Sequence, residues 1–236
     1  MYMGKQPLQN PAQWIEQTYG PVYSCSKQTT IADYPLLGMN FFPDEKDHCA
    51  LVALTSVFRL YAERGYSYLP ADEERLFYRI RRLARQRFML FPRGPFWQGG
   101  TVPFALSALA RAVWRFYGYR HGRAANRTYM FSGLRGAAAL MAAIGEGQPV
   151  LLSLSSGYYC KHTVTVYGYE VWTRTMTGDR TARPADLPEQ LVFLRVNDHW
   201  TDKARYVLLN SLDPAFGGPF FMLTFIRPPA DDKRPD

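Results

Sequence analysis

Apolar residues recur at helical spacing through the first half of the chain and at strand spacing through the second. Between 49 and 64, CALVALTSVFRLYAER is apolar on nearly every face, which predicts a helix buried all round. In ADEERLFYRIRRLARQRF (71–88), Leu76, Ile80, Leu83 and Ala84 form one stripe. Asp72, Glu73 and Glu74 at its start and arginines at its end complement the helix dipole. Shorter helices are expected over 11–18, with Pro11 in the first turn, and over 102–117, with Thr101 placed to cap it. Another is expected over 132–144, from Ser132 to a stop at Gly145 and Gly147. From 148 onward come short β-branched and aromatic runs with turn signals between them: 148–156, 162–172, 190–197, 205–212 and 219–227. This order predicts an α+β fold, its N-terminal helical half packed on a C-terminal antiparallel sheet. One domain over 1–236 is expected, with a helical lobe over about 1–146 and a β lobe over about 147–227. Residues 173–188 read as a polar loop between strands, 228–236 as a frayed tail, and no internal repeat is found.

At 236 residues, with 47% hydrophobic and 15% aromatic content, the chain can bury a sizeable core. No apolar stretch reaches the roughly 20 residues of a membrane span, and MYMGKQPLQN lacks the apolar run of a signal peptide. The three cysteines, Cys25, Cys49 and Cys160, are odd in number and widely spaced, so no disulfide framework is expected. No Cys-x-x-Cys or His-x-x-x-His pair is present, so neither a metal site nor a cofactor is expected. These features fit a reducing, cytoplasmic setting and leave delivery as an effector open. The net charge is +8, and Arg75, Arg79 and Arg82 form a stripe with Arg81, Arg85 and Arg87 close by. Such a stripe reads either as a surface for nucleic acid or an acidic partner, or as a solvated helix face. No nucleic-acid motif accompanies it, so the second reading is preferred. Oligomeric state is not constrained.

Cys49 opens the apolar helix pattern directly after the polar run DEKDH (44–48). A thiol there feels the positive end of the helix dipole, which favours thiolate. His162 opens HTVTVYGY (162–169), a strand running into a glycine, and Asp198 lies in RVNDHW (195–200), where a second strand ends. An imidazole on a strand beside the thiol could take its proton, and a carboxylate could fix the imidazole's tautomer.

In order and local setting these segments resemble the papain-like cysteine peptidases. His162, Gly168 and Tyr169 match that family's His-x-x-x-x-x-Gly-Tyr, and Asp198-His199-Trp200 looks like its Asn-Ser-Trp with Asp in the orienting place. YVLLN (206–210) resembles the following strand. GQPVLLSL (147–154) resembles a segment before the His strand in the bacterial branch that is similar to the double-glycine leader peptidases. The resemblance covers roughly residues 35–212 and implies a papain-like fold. It implies Cys49 as nucleophile, His162 as general base and acid, and Asp198 as orienting residue. Trp200 would shield the His–Asp bond. Neighbours on a strand point to opposite faces, so only one of Asp198 and Asn197 can meet His162; the resemblance, counted back from Trp200, favours Asp198, and Asn197 then stands behind the triad.

Two positions depart from the family pattern. Ala50 follows the nucleophile where glycine is usual, and Pro43 stands where a glutamine supplies an oxyanion donor. Asn40 is the nearest upstream amide, with Gln28 as a more distant substitute. His48 and His199 are expected to face solvent or to lie behind the site. Cys160 is expected on the His162 face, where it could tune the site, pair with Cys49 or simply pack. Phe96 and Trp97 could line a groove or pack equally well. The expected activity is hydrolysis of a peptide or other amide bond in a peptide or protein substrate. The alternatives are an acyltransferase or transglutaminase-like enzyme using the same triad, and an inactive papain-like domain that binds peptides.

Overall fold

A computed structural model describes residues 7–43, 47–91, 100–129, 133–155, 157–175, 187–212 and 221–229. These residues form a mixed α/β structure with five α-helices and a main antiparallel sheet. Helix α1 (Pro11–Tyr19) starts at Asn10, whose side chain accepts from the Gln13 N–H, and ends at Gly20 with φ 74°. Helix α2 (Cys49–Glu63) buries side chains all round, as its apolar pattern predicts. Helix α3 (Glu73–Gln86) is capped by Asp72, which accepts from the Arg75 N–H at 2.6 Å, and buries the Leu76, Ile80, Leu83, Ala84 stripe. Helix α4 (Leu106–Phe116) begins later than expected, after a 3-10 turn (Pro103–Ala105), and makes no bond to a capping side chain. Helix α5 spans Gly133–Gly145. Leu90–Phe91 (β2) pairs with Gly100–Thr101 (β3) in a separate two-stranded sheet. Phe96, Trp97, Ser132, the tail beyond 229 and most of the 173–188 loop lie outside the described residues.

The main sheet is seven-stranded, with order β4-β9-β5-β6-β7-β8 and with β1 also paired to β6. Its strands are β1 (Tyr23–Thr30), β4 (Arg123–Tyr129), β5 (Val150–Leu154), β6 (His162–Arg174), β7 (Gln190–Asn197), β8 (Arg205–Leu208) and β9 (Phe221–Arg227). The expected strand over 205–212 stops at Leu208 and continues as a 3-10 turn, Leu209–Leu212. Strands β1 and β4 come from the expected helical lobe, so the two halves of the chain interleave in one sheet rather than dividing near residue 146. Nor does the tail fray at once, since the Tyr66 hydroxyl donates to the Pro229 carbonyl.

Alternation along β5 and β9 separates two cores on opposite faces of the sheet. Leu151 and Ile226 join α2, α3 and α4 on one face. Val150, Leu152, Leu223 and Phe225 join α5 on the other. The Gly168 position is set by crowding: a Cβ there would sit 2.8 Å from the Thr29 carbonyl and 3.3 Å from the Arg195 Cβ. Flanking strands β1 and β7 therefore require glycine where the chain has its Gly-Tyr pair. With α2 packed on β6, the N-terminus of the helix and the first residues of the strand come to the same end of the sheet.

Candidate active site

A cleft of about 480 Å³ opens at that end, and Cys49, His162, Thr163, Cys160, Trp200 and Met222 are among the residues lining it. Cys49 is the first residue of α2 and is half-buried. The Leu51 and Val52 N–H groups donate the first bonds of the helix, both to the His48 carbonyl, so the Cys49 and Ala50 N–H groups are left for the cleft, as at any helix start. Burial pushes the Cys49 thiol pKa up. The backbone N–H groups of Thr163, Ala50 and Cys49 pull it down, and the nearby Asp47 carboxylate adds to the upward push. Burial is the larger influence and opposes the pull of the helix terminus toward thiolate.

His162 begins β6 opposite Leu154 and is buried. Its Nε2 lies 2.7 Å from the backbone carbonyl of Asp198. A carbonyl only accepts, so Nε2 carries the proton and Nδ1 of the neutral ring keeps its lone pair. Burial lowers the His162 pKa, opposed by that carbonyl and by the Asp198 charge. The Trp200 indole lies over the imidazole, with centroids 4.3 Å apart and planes 31° apart. Tyr159 stands at 5.9 Å, nearly parallel to the imidazole.

Asp198 thus meets His162 through its main chain, where the sequence reading assigns the contact to its carboxylate. The carboxylate is 1% exposed and organises the following turn. Oδ1 accepts from the N–H groups of Trp200 and Thr201 at 3.1 Å each and from the Thr201 hydroxyl at 3.3 Å. Oδ2 accepts from the Tyr159 hydroxyl at 3.2 Å, with Arg205 Nε at 3.9 Å. The physical reason is where the strand ends. β7 stops at Asn197, and His199 adopts a left-handed φ of 61°, which turns the carboxylate into the bend and the carbonyl toward His162.

Asn197 and His199 both serve the same neighbouring loop. Asn197 Nδ2 donates to the Leu37 carbonyl at 3.1 Å, and its Oδ1 accepts from the His199 N–H. His199 Nδ1 meets the Leu37 carbonyl at 2.8 Å and its Nε2 meets the Thr165 hydroxyl at 3.1 Å. Burial drives its pKa down to about 3. Neither His199 nor His48 faces solvent: both are buried, and His48 packs edge-on against Phe77.

Asn40 does not reach the cleft. It is exposed, and its Oδ1 folds back against Gly38, so close that a Cβ on Gly38 would collide with it. Gln28 sits on β1 opposite Glu170, also exposed. Among the described lining residues there is no side-chain amide. Cys160 is exposed and lies in a turn, its Sγ 3.1 Å from the Ser155 carbonyl; strand alternation stops before it. It still lines the cleft with Cys49.

One signal has no trace in the pattern of apolar residues. Among the described residues, five non-glycines have φ near +55–60°: Asp33, Asp47, Phe88, Lys161 and His199. Three of them stand one or two residues from Cys49, His162 and Asp198. Such strained backbone persists where surrounding structure fixes it, and it gathers at functional sites. Tyr159, the Thr163 N–H and Arg205 are site components that sequence reasoning missed. The aromatic pair Tyr158-Tyr159 just before His162 was the available clue.

No protein-family model, curated protein or solved structure matches this chain. Among the described residues no helix is long and apolar enough to cross a membrane.

Proposed function

We propose that this chain is a cysteine hydrolase with a papain-like arrangement, cleaving a peptide or other amide bond through a thioester. One observation carries the reading: Cys49 at a helix start and His162 at a strand start line the same cleft, with backbone N–H groups about the sulfur. In this mechanism His162 Nδ1 takes the thiol proton as Cys49 Sγ attacks the carbonyl carbon. Negative charge develops on the carbonyl oxygen, and the Cys49 and Ala50 N–H groups are the donors for it. The imidazolium then gives its proton to the nitrogen as the C–N bond breaks, leaving the thioester. Water, losing a proton to His162, attacks that thioester; the C–S bond breaks and the proton returns to sulfur. Burial raises the thiol pKa and lowers the imidazole pKa, which favours a neutral resting pair with proton transfer accompanying attack.

An inactive peptide-binding domain is the second reading, and the lack of a side-chain amide among the described lining residues favours it. Limiting iodoacetamide followed by mass spectrometry separates the two. The hydrolase reading expects Cys49 to label in the folded protein because His162 takes its proton as the sulfur attacks, and to lose that labelling in His162→Ala. An unreactive Cys49 sinks it. Product analysis with a fluorogenic peptide mixture, with and without added amine, then distinguishes hydrolysis from acyl transfer.

A further inference from the structure

A second concavity, of about 590 Å³, lies away from the Cys49 cleft, and Arg111, Arg115, Arg120, Arg123, Arg127 and Arg227 line it. These six come from α4, from β4 and the turn before it, and from the end of β9. Its apolar floor includes Ala139, Ala142 and Phe225. Among the described residues no carboxylate lines it, and none of the six forms an ion pair. Strand β9 joins the two concavities: Met222 lines the cleft and Arg227 lines the second, roughly 17 Å apart at about 3.4 Å per residue.

We infer that this concavity binds a small anion carrying two or more phosphate groups. Guanidinium groups stay charged at every physiological pH, so six around one hollow repel each other until an anion is bound. One carboxylate would neutralise one of them; a linked phosphate chain neutralises several. Arginine without a single lysine favours a ligand whose oxygens accept two parallel N–H bonds, which is phosphate chemistry. The volume is that of a small-ligand site. Phe225 is buried and Arg127 covers its ring at 5.4 Å, so of the described lining residues only the exposed His121 imidazole offers a ring face, against six guanidinium groups. Recognition therefore rests on phosphate groups.

Arginines on β4 could by themselves only guard the sheet edge, where charge discourages strand pairing. That explanation covers Arg123 and Arg127 alone. Arg111, Arg115, Arg120 and Arg227 lie on other segments and converge on the same hollow. The site stands on residues distinct from the Cys49 cleft, so it holds or fails independently of the hydrolase reading.

Isothermal titration calorimetry of the full chain in about 0.15 M chloride tests it, with inorganic tripolyphosphate, ATP and a short DNA duplex as probes. Tripolyphosphate should saturate one site. Arg123→Gln/Arg227→Gln, at exposed positions, should weaken it at least about tenfold, since two bidentate contacts are lost. Arg75→Gln/Arg82→Gln on α3 should change it less than about twofold, because those arginines do not line the hollow. ATP binding as tightly as tripolyphosphate means phosphate recognition alone; tighter binding means that the nucleoside adds contacts. Either supports the site. Near-ultraviolet circular dichroism of both variants verifies folding. No saturation by about 1 mM, equal loss in both variants, or tighter binding of the duplex than of either small anion would overturn the proposal.

Discussion

The two walls of the Cys49 cleft are held by different means. On the His162 wall, side chains do the fixing: Trp200 covers the ring, Tyr159 backs it, and the buried Asp198 carboxylate ties down the bend that presents the carbonyl. On the Cys49 wall, backbone does it. The preceding residue, His48, makes no side-chain cap bond to the helix, and the groups around the sulfur are main-chain N–H. Side-chain substitutions should therefore damage the first wall in many places and the second mainly at Cys49 and at buried His48, whose Nε2 meets the Met39 carbonyl at 3.3 Å.

The largest effect sharpens this directly. Under the proposed thioester mechanism, Cys49→Ala and His162→Ala should each reduce peptide hydrolysis by about 10³-fold or more, since one removes the nucleophile and the other the group that moves every proton. Their melting temperatures should differ. Cys49→Ala removes one half-buried sulfur, whereas His162→Ala removes a hydrogen bond and the ring that Trp200 covers. Equal destabilisation in calorimetry would break the comparison.

Next is Asp198. Asp198→Ala leaves the Trp200, Thr201 and Tyr159 donors unpartnered and Arg205 without its buried counter-charge, which should destabilise the fold by about 3 kcal/mol. Asp198→Asn keeps an acceptor and should recover most of that in urea unfolding. Because the atom on His162 is the main-chain oxygen, Asp198→Asn should lower turnover by no more than about tenfold. A loss as deep as that of His162→Ala would give the orienting role back to the carboxylate.

How far the sequence could be read follows the same division. The α2 and α3 periods are plain because those helices bury apolar faces, and the five expected strands of the second half all carry β-branched runs. Strands β1 (YSCSKQTT) and β4 (RAANRTY) were invisible because most of their side chains are exposed. They become strands by pairing with β6 and β9, a tertiary cause that leaves no local period. At the site, residue identities were legible and atoms were not. That Asp198 meets His162 through its carbonyl depends on the left-handed turn at His199, a conformation that a buried histidine does not advertise. Counting back to Asn40 supplied a sequence distance, whereas the 3-10 turn of Met39–Phe41 decides where that side chain goes. The arginine hollow draws on positions 111 to 227, so it never forms a run in sequence, whereas the α3 stripe does.

Acid should test the packed side of the His162 wall. His199 has a folded pKa of about 3 against about 6.5 unfolded. Below about pH 6.5 the unfolded chain binds a proton that the folded chain refuses, so stability is present above that pH and falls as pH drops toward 3. Between pH 7 and pH 5 this amounts to about 2 kcal/mol, and His162, also lowered by burial, acts in the same direction. Urea midpoints at the two pH values should show the loss, and His199→Gln should flatten it. An unchanged slope in that variant would assign the acid sensitivity elsewhere.

Trp200→Ala should act on the imidazole rather than on the fold, because the indole is 43% exposed. Water then reaches His162, the burial that lowers its pKa is relieved, and the pKa rises toward the ordinary value. Less neutral base remains at mildly acid pH, so the acid limb of Cys49 alkylation should move to higher pH. Near pH 8 the rate should change less than about threefold. A uniform loss at all pH values would instead mean that Trp200 contacts the substrate.

The smallest expected effect is at Asn40, where the sequence reading placed an oxyanion donor. An amide donating to the developing charge is worth about 10²–10³ in turnover. Asn40 is exposed, turned back on Gly38 and separate from the cleft lining. Asn40→Ala should therefore leave hydrolysis within about twofold of the parent, with labelling of Cys49 unchanged. The first two N–H groups of α2 need no side-chain amide to meet an oxyanion, because a helix start leaves them unpaired by construction. A hundredfold loss in Asn40→Ala would mean that the Met39–Phe41 turn rearranges to bring the amide in, and the Cys49 wall would then depend on side chains as much as its opposite.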